Sequence, residues 1–502
     1  MLAAAGLLAA HEAVAEDLNQ SADAYRAAHE IEIIDALDQL TRLRSVAADP
    51  AGVAAAADFL LGQLKRRGFE ARLLTDGMGS PPLVFGELRT AGARQTVVFY
   101  AHYDGQPVTP AEWSSDPFAP VMRVAASLDP TRQVDWRRAA PPLNPEWRLY
   151  GRAVSDDKAS IIAFLAAFDA LGAAGRRPSV NIKVAWEGEE EAGSPHLAAI
   201  LASNRQVLQA DAWLIGDGPV HQSRRQMLYF GARGVLGLRL TLYGPVRALH
   251  DGHYGNWVPN PAAMAATLIS QLRDDRGRIL IPHFGDSVRP LTADEQRALR
   301  ELPSYDVELE HEFGLGRSES GQSLARSIMR PALNVRGLRA GQVGDASANA
   351  IPVSADISID FRLVPDQTPA AVRAAVESYL ERLGWTLVNA EPDIETRRSH
   401  ARVAKIEWEP GYPALRSDLS SPVAHAVIAA ARAAAGGPVA ILPMMGGSVP
   451  IYLFDQAFKV PVIGLPIVNH DNNQHAANEN LRLQNLWDGI RTYASMLGQL
   501  DW

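Results

Sequence analysis

The sequence predicts an α/β fold in which a mixed central sheet, flanked by helices, carries an inserted α+β domain. Short apolar or β-branched runs alternate with long helical stretches such as Ala159 to Leu171, a pattern typical of a sheet covered on both faces. Farther on, Ser354 to Arg362 alternates between polar and apolar residues, which indicates an antiparallel sheet with one wet face. A chain of 502 residues also exceeds what one hydrophobic core usually serves, so we expect more than one domain.

The elements of the central sheet follow two opening helices. Apolar residues recur at helical spacing in Ile31 to Leu43 and in Val53 to Leu64, and Gly68 closes the second helix. Later, Ser421 to Ala434 has the same helical spacing. The runs that predict strands of this sheet are Thr96 to Tyr100, Val180 to Trp186, Ala212 to Ile215 and Lys459 to Leu465.

The character of the sequence changes near Arg233. Val235 to Tyr243 predicts a first strand of the insertion, and Ser354 to Arg362 predicts a second, followed by a helix that begins at Thr368 and Pro369. We therefore assign residues 26–230 and 411–502 to the first domain and residues 231–410 to the inserted domain.

Residues 1–25 allow two interpretations. Met1 to Ala15 is rich in Ala and Leu and ends in an Ala-Val-Ala step before Glu16, as a signal remnant does. It lacks a basic start and contains His11 and Glu12, which suits an ordinary amphipathic helix in a cytoplasmic protein. We favour export to the periplasm or the outside. No apolar run reaches the roughly 18 residues of a membrane span.

Charge and composition exclude several classes of function. The net charge is -9, and acidic and basic residues are interspersed, so there is no basic stripe for nucleic acid and no polybasic patch for a membrane surface. The chain has no cysteine, which excludes disulfides, thiolate metal sites and cysteine nucleophiles. Any metal must therefore be held by histidines and carboxylates, and the partners are small molecules or other protein chains.

Polar residues follow each predicted strand of the central sheet, where active sites of open α/β sheets lie. They are suited to a pair of divalent ions, because imidazole and carboxylate ligands favour zinc, with manganese or cobalt as alternatives. A carboxylate that stays free of metal can then take a proton from water. The candidates are His102, Asp104, Asp156, Asp157, Glu190, Glu191, Asp217 and His475.

Together these motifs resemble those of the dinuclear zinc exopeptidases and deacylases, which include carnosinase-type dipeptidases, glutamate carboxypeptidases, aminoacylase and succinyl-diaminopimelate desuccinylase. The resemblance runs from about residue 30 to the end. It implies two zinc ions, with Asp156 as the bridging carboxylate, Asp104 orienting His102, and Glu190 as general base. The inserted domain would be a lid that also forms a homodimer interface. The implied metal ligands are His102, Asp156, Glu191, Asp217 and His475.

The same resemblance assigns substrate contacts to the inserted domain and to one turn. His250 would stabilise the oxyanion, in many members from the partner subunit. Arg362 would grip the free carboxylate of the substrate, for which a planar bidentate donor is suited. Asn349 and the turn at Gly447 and Ser448 would bind the same end.

The sequence also departs from the family pattern. Ala153 and Ala159 stand where glycine is usual, so we expect a tighter loop around Asp156 that still binds metal. Leu128 to Glu146 is extra sequence. Two interpretations are open: the segment lies near the active-site rim and affects specificity or the dimer contact, or it is a tolerated surface loop.

The resemblance therefore implies hydrolysis of an amide bond in a dipeptide or small peptide that has a free C-terminal carboxylate. The alternative within hydrolases is an N-acyl amino acid deacylase, which needs the same metals. A non-catalytic peptide-binding protein would have no reason to keep Glu190 beside a full ligand set. Nucleotide-dependent enzymes are disfavoured because neither a dinucleotide-binding nor a P-loop glycine motif occurs.

Overall fold

The computed structural model describes residues 16–502. The predicted signal remnant, Met1 to Ala15, lies outside the described residues. Residues 16–28 form a helix. Among the helices of residues 16–502, none combines the length and apolar character needed to cross a lipid bilayer.

The strands of the described residues build two large sheets and three small ones. In chain order they are β1 (Glu70–Leu74), β2 (Leu83–Leu88), β3 (Thr96–His102), β4 (Val121–Arg123), β5 (Gln133–Val134), β6 (Arg148–Tyr150), β7 (Asn181–Glu187), β8 (Ala212–Ile215), β9 (Met227–Tyr229), β10 (Gly231–Ala232), β11 (Gly234–Tyr243), β12 (Leu249–His250), β13 (Ala332–Arg339), β14 (Ala350–Ile351), β15 (Ser354–Leu363), β16 (Thr386–Val388), β17 (Val403–Tyr412), β18 (Leu415–Arg416), β19 (Ala440–Leu442), β20 (Val462–Gly464) and β21 (Asn480–Arg482).

The α-helices follow the same numbering. They are α1 (residues 16–28), α2 (Glu30–Thr41), α3 (Pro50–Arg66), α4 (Lys158–Ala173), α5 (Leu197–Ser203), α6 (Arg205–Leu208), α7 (Asp251–Tyr254), α8 (Pro261–Leu272), α9 (Ala293–Glu301), α10 (Asp306–Glu312), α11 (Leu324–Ile328), α12 (Pro369–Arg382), α13 (Ile394–Ser399), α14 (Pro422–Ala435), α15 (Tyr452–Phe458) and α16 (Leu483–Gln499).

The central sheet has eight strands in the order β1-β2-β7-β3-β8-β20-β9-β19. Strands β7, β3, β8 and β20 are parallel neighbours, whereas β1–β2, β2–β7 and β20–β9 are antiparallel pairs. Val97 and Phe99 pack into the apolar cluster on one face, and Val98 and Tyr100 pack into the cluster on the other. The predicted mixed sheet buried on both faces is therefore confirmed, and the carboxyl ends of its parallel strands lie at one edge.

One predicted boundary in this sheet is wrong. The strand predicted from Lys459 to Leu465 covers only Val462–Gly464. Lys459 instead ends α15, with its backbone in the left-handed region at φ 56°. The apolar residues after Lys459 suggest a strand that begins there, because a lysine can stand either at a left-handed helix cap or at the start of a strand.

The second large sheet lies in the insertion, in the order β13-β15-β11-β17-β16. Its strands are antiparallel except β16, which pairs with β17 in parallel. Ile357 and Phe361 face an apolar cluster, as the alternation predicts, and α8 and α12 complete that cluster. Strand β10 pairs with β18 where the chain enters and leaves this part. The boundaries at 231 and 410 themselves stay a prediction.

The extra segment from Leu128 to Glu146 is anchored to α2. Trp136 and Leu143 belong to the main apolar cluster. The amide of Leu143 donates to Glu30 Oε2 at 2.7 Å, and Arg137 Nη2 contacts Asp38 Oδ2 at 2.7 Å. Trp136 and Leu143 therefore attach the segment to the first domain, whereas most of its other residues are exposed.

Candidate metal centre and active site

The candidate ligands gather at the carboxyl edge of the central sheet. His102 is the last residue of β3, Glu191 lies in the turn after β7, and Asp217 follows β8. Because β7, β3 and β8 are parallel neighbours, these three residues meet at one edge. Asp156 reaches the same place from the loop before α4, and His475 from the loop before β21.

Two groups of possible ligand atoms share Asp156. In each group the atoms lie within 4.8 Å of one another; the first contains His102, Asp156 and Asp217, and the second Asp156, Glu191 and His475. His102 Nε2 is 3.0 Å from Asp156 Oδ1, whereas His475 Nε2 is 3.1 Å from Asp156 Oδ2. The two oxygens of one carboxylate therefore face different histidines, which is the arrangement a bridging ligand needs.

The charges at this edge favour bound cations. Burial, followed by the charge of Asp156, raises the pKa of Asp217 to about 7. Burial would also raise the pKa of Asp156, but the hydrogen bonds to His102 and His475 outweigh it and hold that pKa well below its ordinary value. Hydrogen bonds to Asp156 and Glu191 raise the pKa of His475 to about 10. Several buried carboxylates thus compete for positive charge, which divalent ions would supply.

Asp104 connects the two sides of the centre. Its Oδ1 lies 3.4 Å from Nδ1 of His102. Its two oxygens also accept the backbone N–H groups of Glu190 and Glu191 at 3.2 and 3.0 Å. One buried carboxylate therefore fixes both a histidine ligand and the turn that presents the neighbouring glutamates.

Glu190 has the environment of a proton carrier. Burial raises the pKa of its carboxyl well above the ordinary value, and the charges of Asp217, Glu191 and Glu187 raise it further. The carboxyl belongs to neither ligand group and makes no hydrogen bond within residues 16–502. It is thus a carboxyl beside the centre that is free to exchange a proton.

The loop before α4 is held by Glu479, a residue that the sequence reasoning did not single out. Oε2 of Glu479 accepts from Arg152 Nη1 at 2.9 Å and from the Ala153 amide at 2.8 Å. Oε1 accepts from the Ser155 hydroxyl at 2.7 Å and from the Ser155 and Asp156 amides, both at 3.0 Å. The only signal in the sequence was that Glu479 stands four residues after His475.

The two alanines that replace family glycines behave differently. Ala153 has a φ of 59°, a left-handed conformation that costs an alanine roughly 1 kcal/mol. Its amide hydrogen bond to Glu479 helps to hold this conformation. Ala159 is buried in the first turn of α4 and needs no unusual φ. The peptide bond between Asp156 and Asp157 is cis.

His250 and Asn349 lie together, but apart from the ligand groups. His250 of β12 pairs with Ala350 of β14, and the Asp251 amide donates to the Asn349 carbonyl at 3.2 Å. The His250 side chain is 54% exposed. In the described part of the chain, neither His250 nor Asn349 hydrogen bonds to a candidate ligand.

Arg362 is joined to the predicted turn. Its Nη1 donates to Ser448 Oγ at 2.8 Å and its Nε to Asp360 Oδ2 at 2.8 Å. Gly447, beside Ser448, is exposed. Arg233 is a second arginine near this corner, and the sequence pointed to it only as the place where the character of the chain changes. Burial, and then the charge of Arg362, lowers the pKa of Arg233 to about 10. Two cations against one carboxylate leave this corner positive.

Comparison with known proteins gives a consistent result. Cys-Gly metallodipeptidase dug1 of Schizosaccharomyces pombe is 26% identical over 490 residues, covering 93% of this chain and 95% of that protein. Beta-Ala-His dipeptidase of Homo sapiens is 25% identical over 434 residues, covering 84% and 78%. The crystal structure of the M20 family metallo-carboxypeptidase Sso-CP2 from Sulfolobus solfataricus has a TM-score of 0.73 at 27% identity, covering 93% of this chain and 99% of that one.

Residues 98–499 match the family described as Peptidase family M20/M25/M40. That span is most of the chain, and it contains all the candidate ligands and Glu190. The resemblance inferred from the sequence motifs is therefore confirmed. The chain belongs to peptidase family M20/M25/M40, and it is a peptide-bond hydrolase.

Proposed function

We propose that this protein is a dinuclear zinc dipeptidase that cleaves the bond before a C-terminal residue with a free carboxylate. The observation that carries the proposal is the pair of ligand groups joined by Asp156, with Glu190 beside them. Two relatives, from fission yeast and human, are named as dipeptidases, and a third, from Sulfolobus, as a metallo-carboxypeptidase.

The donor set fits the proposed ions. Each group offers one imidazole nitrogen and two carboxylate oxygens, which suits zinc, with manganese and cobalt as alternatives. His102, Asp156 and Asp217 would hold one ion, and Asp156, Glu191 and His475 the other. When bound, such a pair polarises the scissile carbonyl and lowers the pKa of water to near 7.

The chain's own residues supply the remaining steps. Glu190 accepts the proton of the attacking water and returns it to the leaving amine, for which its raised pKa is suited. Asp104 keeps His102 in one orientation through Nδ1. His102 ends β3, and Asp104 and Glu190 lie in the segments that follow β3 and β7.

The positive corner at Arg362 supports a substrate with a free carboxylate. Arg362 is fixed by Asp360 and Ser448, and Arg233 adds a second positive charge. A guanidinium in such a place favours a carboxylate partner. The turn at Gly447 and Ser448 and, after closure, Asn349 would bind the same end.

Metal content and turnover test the function together. Protein purified without chelator is expected to hold about two zinc ions per chain and to release amino acids from a dipeptide pool until chelated. Glu190→Gln should keep the metal and lower kcat at least 100-fold, since general acid/base groups contribute about 100-fold to 10,000-fold. Near-normal turnover of Glu190→Gln would contradict the assignment.

The N-acyl amino acid deacylase is the competing outcome of the same assay. N-acetylated and N-succinylated amino acids are offered beside dipeptides at equal concentration. Zinc-dependent release from the acylated compounds, with dipeptides untouched, would replace the dipeptidase by the deacylase. A protein that holds no zinc, manganese or cobalt and returns both substrate classes intact would contradict both.

We further propose that the inserted domain, residues 231–410, is a lid and forms a homodimer in which His250 completes the site of the partner subunit. The exposed position of His250 supports this, as do the exposed aromatic rings of Tyr254 and Trp257 beside it. Light scattering should then give twice the chain mass. Mixing inactive His250→Ala with inactive Glu190→Gln should restore about a quarter of normal activity through mixed dimers; no recovery would place His250 outside the partner's site.

Export of the chain remains our proposal from Met1 to Ala15, and its support is the sequence alone. Mass spectrometry of the N-terminus of the mature protein tests it: loss of this stretch is expected, and an intact Met1 in cells would contradict export.

A further inference from the structure

Tyr412 shares a sheet face with the proposed carboxylate-binding Arg362. Val235 of β11 is paired with Arg362 of β15 on one side and with Tyr412 of β17 on the other. Residues directly opposite one another in antiparallel strands point to the same face. The next residues on two of these strands, Leu236 and Phe361, point to the apolar cluster. Tyr412 and Arg362 therefore project together from the opposite face.

The ring of Tyr412 packs on a second tyrosine. The centroids of Tyr412 and Tyr452 are 5.0 Å apart and the planes meet at 11°, a stacked pair. Tyr452 begins α15, four residues after Ser448, which binds Arg362. The stack therefore stands beside the turn that fixes the guanidinium.

The two rings do not complete an apolar core. Both tyrosines are half-buried, and neither belongs to the core clusters or to the side chains packed against them. Neither hydroxyl has a hydrogen-bond partner in residues 16–502, and neither is a buried orphan. An aromatic pair that is not required by the core, with open hydroxyls, is suited to contact a ligand.

Tyr412 is close to groups at both ends of the proposed reaction site. After burial, the charges that act most on the pKa of its hydroxyl are Glu190, which raises it, and Arg362, which lowers it. Glu190 serves the scissile bond and Arg362 the terminal carboxylate in the proposed function. The part of a dipeptide that spans these two points is its C-terminal residue, so the side chain of that residue is the one we expect beside the tyrosines.

We propose that Tyr412 and Tyr452 form an aromatic wall that selects dipeptides whose C-terminal residue carries an aromatic side chain. This rests on the proposed function, because Arg362 and Glu190 define which residue lies at the wall. A flat ring gains both apolar burial and offset stacking there. A C-terminal glycine gains neither.

The test compares Ala-Phe with Ala-Gly on the zinc-loaded enzyme. Wild type should prefer Ala-Phe in kcat/KM by about tenfold or more, within the range that one apolar pocket contact provides. Tyr412→Leu and Tyr452→Leu should each lower that ratio several-fold, mainly through the KM of Ala-Phe, whereas Tyr412→Phe should keep most of it. Tyr25→Leu is the matched control, because Tyr25 also stacks on an aromatic ring, at 4.1 Å from His29, and its loss should leave the ratio unchanged.

Binding measured without turnover separates this proposal from the proposed function. Calorimetry of Ala-Phe and Ala-Gly is carried out on zinc-loaded Glu190→Gln with and without Tyr412→Leu. Cleavage of both dipeptides with a ratio near one, or a ratio unmoved by either leucine variant, would overturn the wall while keeping the dipeptidase. If the wild type cleaves neither dipeptide, but Glu190→Gln binds Ala-Phe more tightly than Ala-Gly and loses this difference with Tyr412→Leu, the wall would be supported and the dipeptidase overturned. Equal binding of the two dipeptides would overturn the wall in either case.

Discussion

Replacing Glu479 by Gln tests whether one buried carboxylate shapes the metal centre. Its two oxygens accept hydrogen bonds from one arginine, one hydroxyl and three backbone amides of residues 152–156. Glutamine has the same shape but offers an NH2 group in place of one oxygen. Whichever way the amide turns, at least two donors of the loop then face another donor.

The cost follows from these contacts. A buried donor that loses its acceptor costs about 1–3 kcal/mol. Arg152, which is 2% exposed, also loses its charged partner, and breaking such a buried pair costs about 3–5 kcal/mol. The two estimates describe the same change, so we expect the free energy of unfolding to fall by about 3–5 kcal/mol. Either orientation of the amide takes acceptors from the loop that carries Asp156, so zinc affinity should fall about 10-fold to 100-fold.

Urea unfolding and zinc titration against a competing dye measure the two effects. The matched control is Glu295→Gln, since Glu295 is also buried and pairs with Arg416 at 2.8 Å, but belongs to neither ligand group. It should lose stability and keep its zinc affinity. If Glu479→Gln bound zinc as tightly as Glu295→Gln does, the proposed link between Glu479 and the Asp156 loop would be refuted.

Three further predictions use other parts of the structure. Arg362→Lys should raise KM for dipeptides about tenfold or more and weaken the preference for free over amidated C-termini, because lysine cannot form the bidentate contact; Arg336→Lys, on the outer strand β13, should leave the steady-state kinetics unchanged. Removing zinc with a chelator should lower Tm by several degrees, and adding zinc should restore it, because a ligand that binds the folded state stabilises that state. An unchanged Tm would contradict zinc binding to the folded protein. Asp471 pairs with Arg148. Burial raises the pKa of the Asp471 carboxyl, but the hydrogen bond to Arg148 outweighs it and lowers this pKa from 3.8 to about 2. Its contribution is therefore present above pH 4 and lost as pH falls towards 2. As its side chain is 40% exposed, Asp471→Asn should cost only about 1 kcal/mol, and acid titration of both proteins should show the difference disappearing between pH 4 and 2.

Much of the fold was predictable because its signals are local. The alternation in Ser354 to Arg362 gives the buried face of β15, and the apolar runs at β3, β7 and β8 give the core of the central sheet. The sheet order was not predictable in this way. Strands β9, β19 and β20 come from distant parts of the chain, and short apolar runs carry no signal for which neighbour they pair with.

The residues of the candidate site likewise divide into those with a local signal in the sequence and those without one. His102, Asp156, Glu191, Asp217 and His475 each carry a motif or follow a strand, so their convergence could be predicted. Glu479 and Arg233 act through long-range contacts to other loops, which leave no periodic mark in the sequence. The position of Tyr412 could not be predicted for a related reason. It shares a face with Arg362 only because of the register of two strands against β11 and the bulge between Leu236 and Leu238.

In the proposed function, the chemistry and the choice of substrate depend on different parts of the fold. His102 ends β3, and Glu190, Glu191 and Asp217 follow β7 and β8, whereas Asp156 and His475 reach the same edge from loops. Arg362 and Tyr412 instead lie on the face of the inserted sheet that points away from its apolar cluster, and Tyr452 lies at the start of a short helix. If Tyr412 and Tyr452 form the proposed wall, substitutions on that face would alter which C-terminal residue is accepted while the metal ligands remain in place. We therefore expect Tyr412 and Tyr452 variants to change substrate ratios without changing zinc content, and a parallel loss of both would contradict this separation.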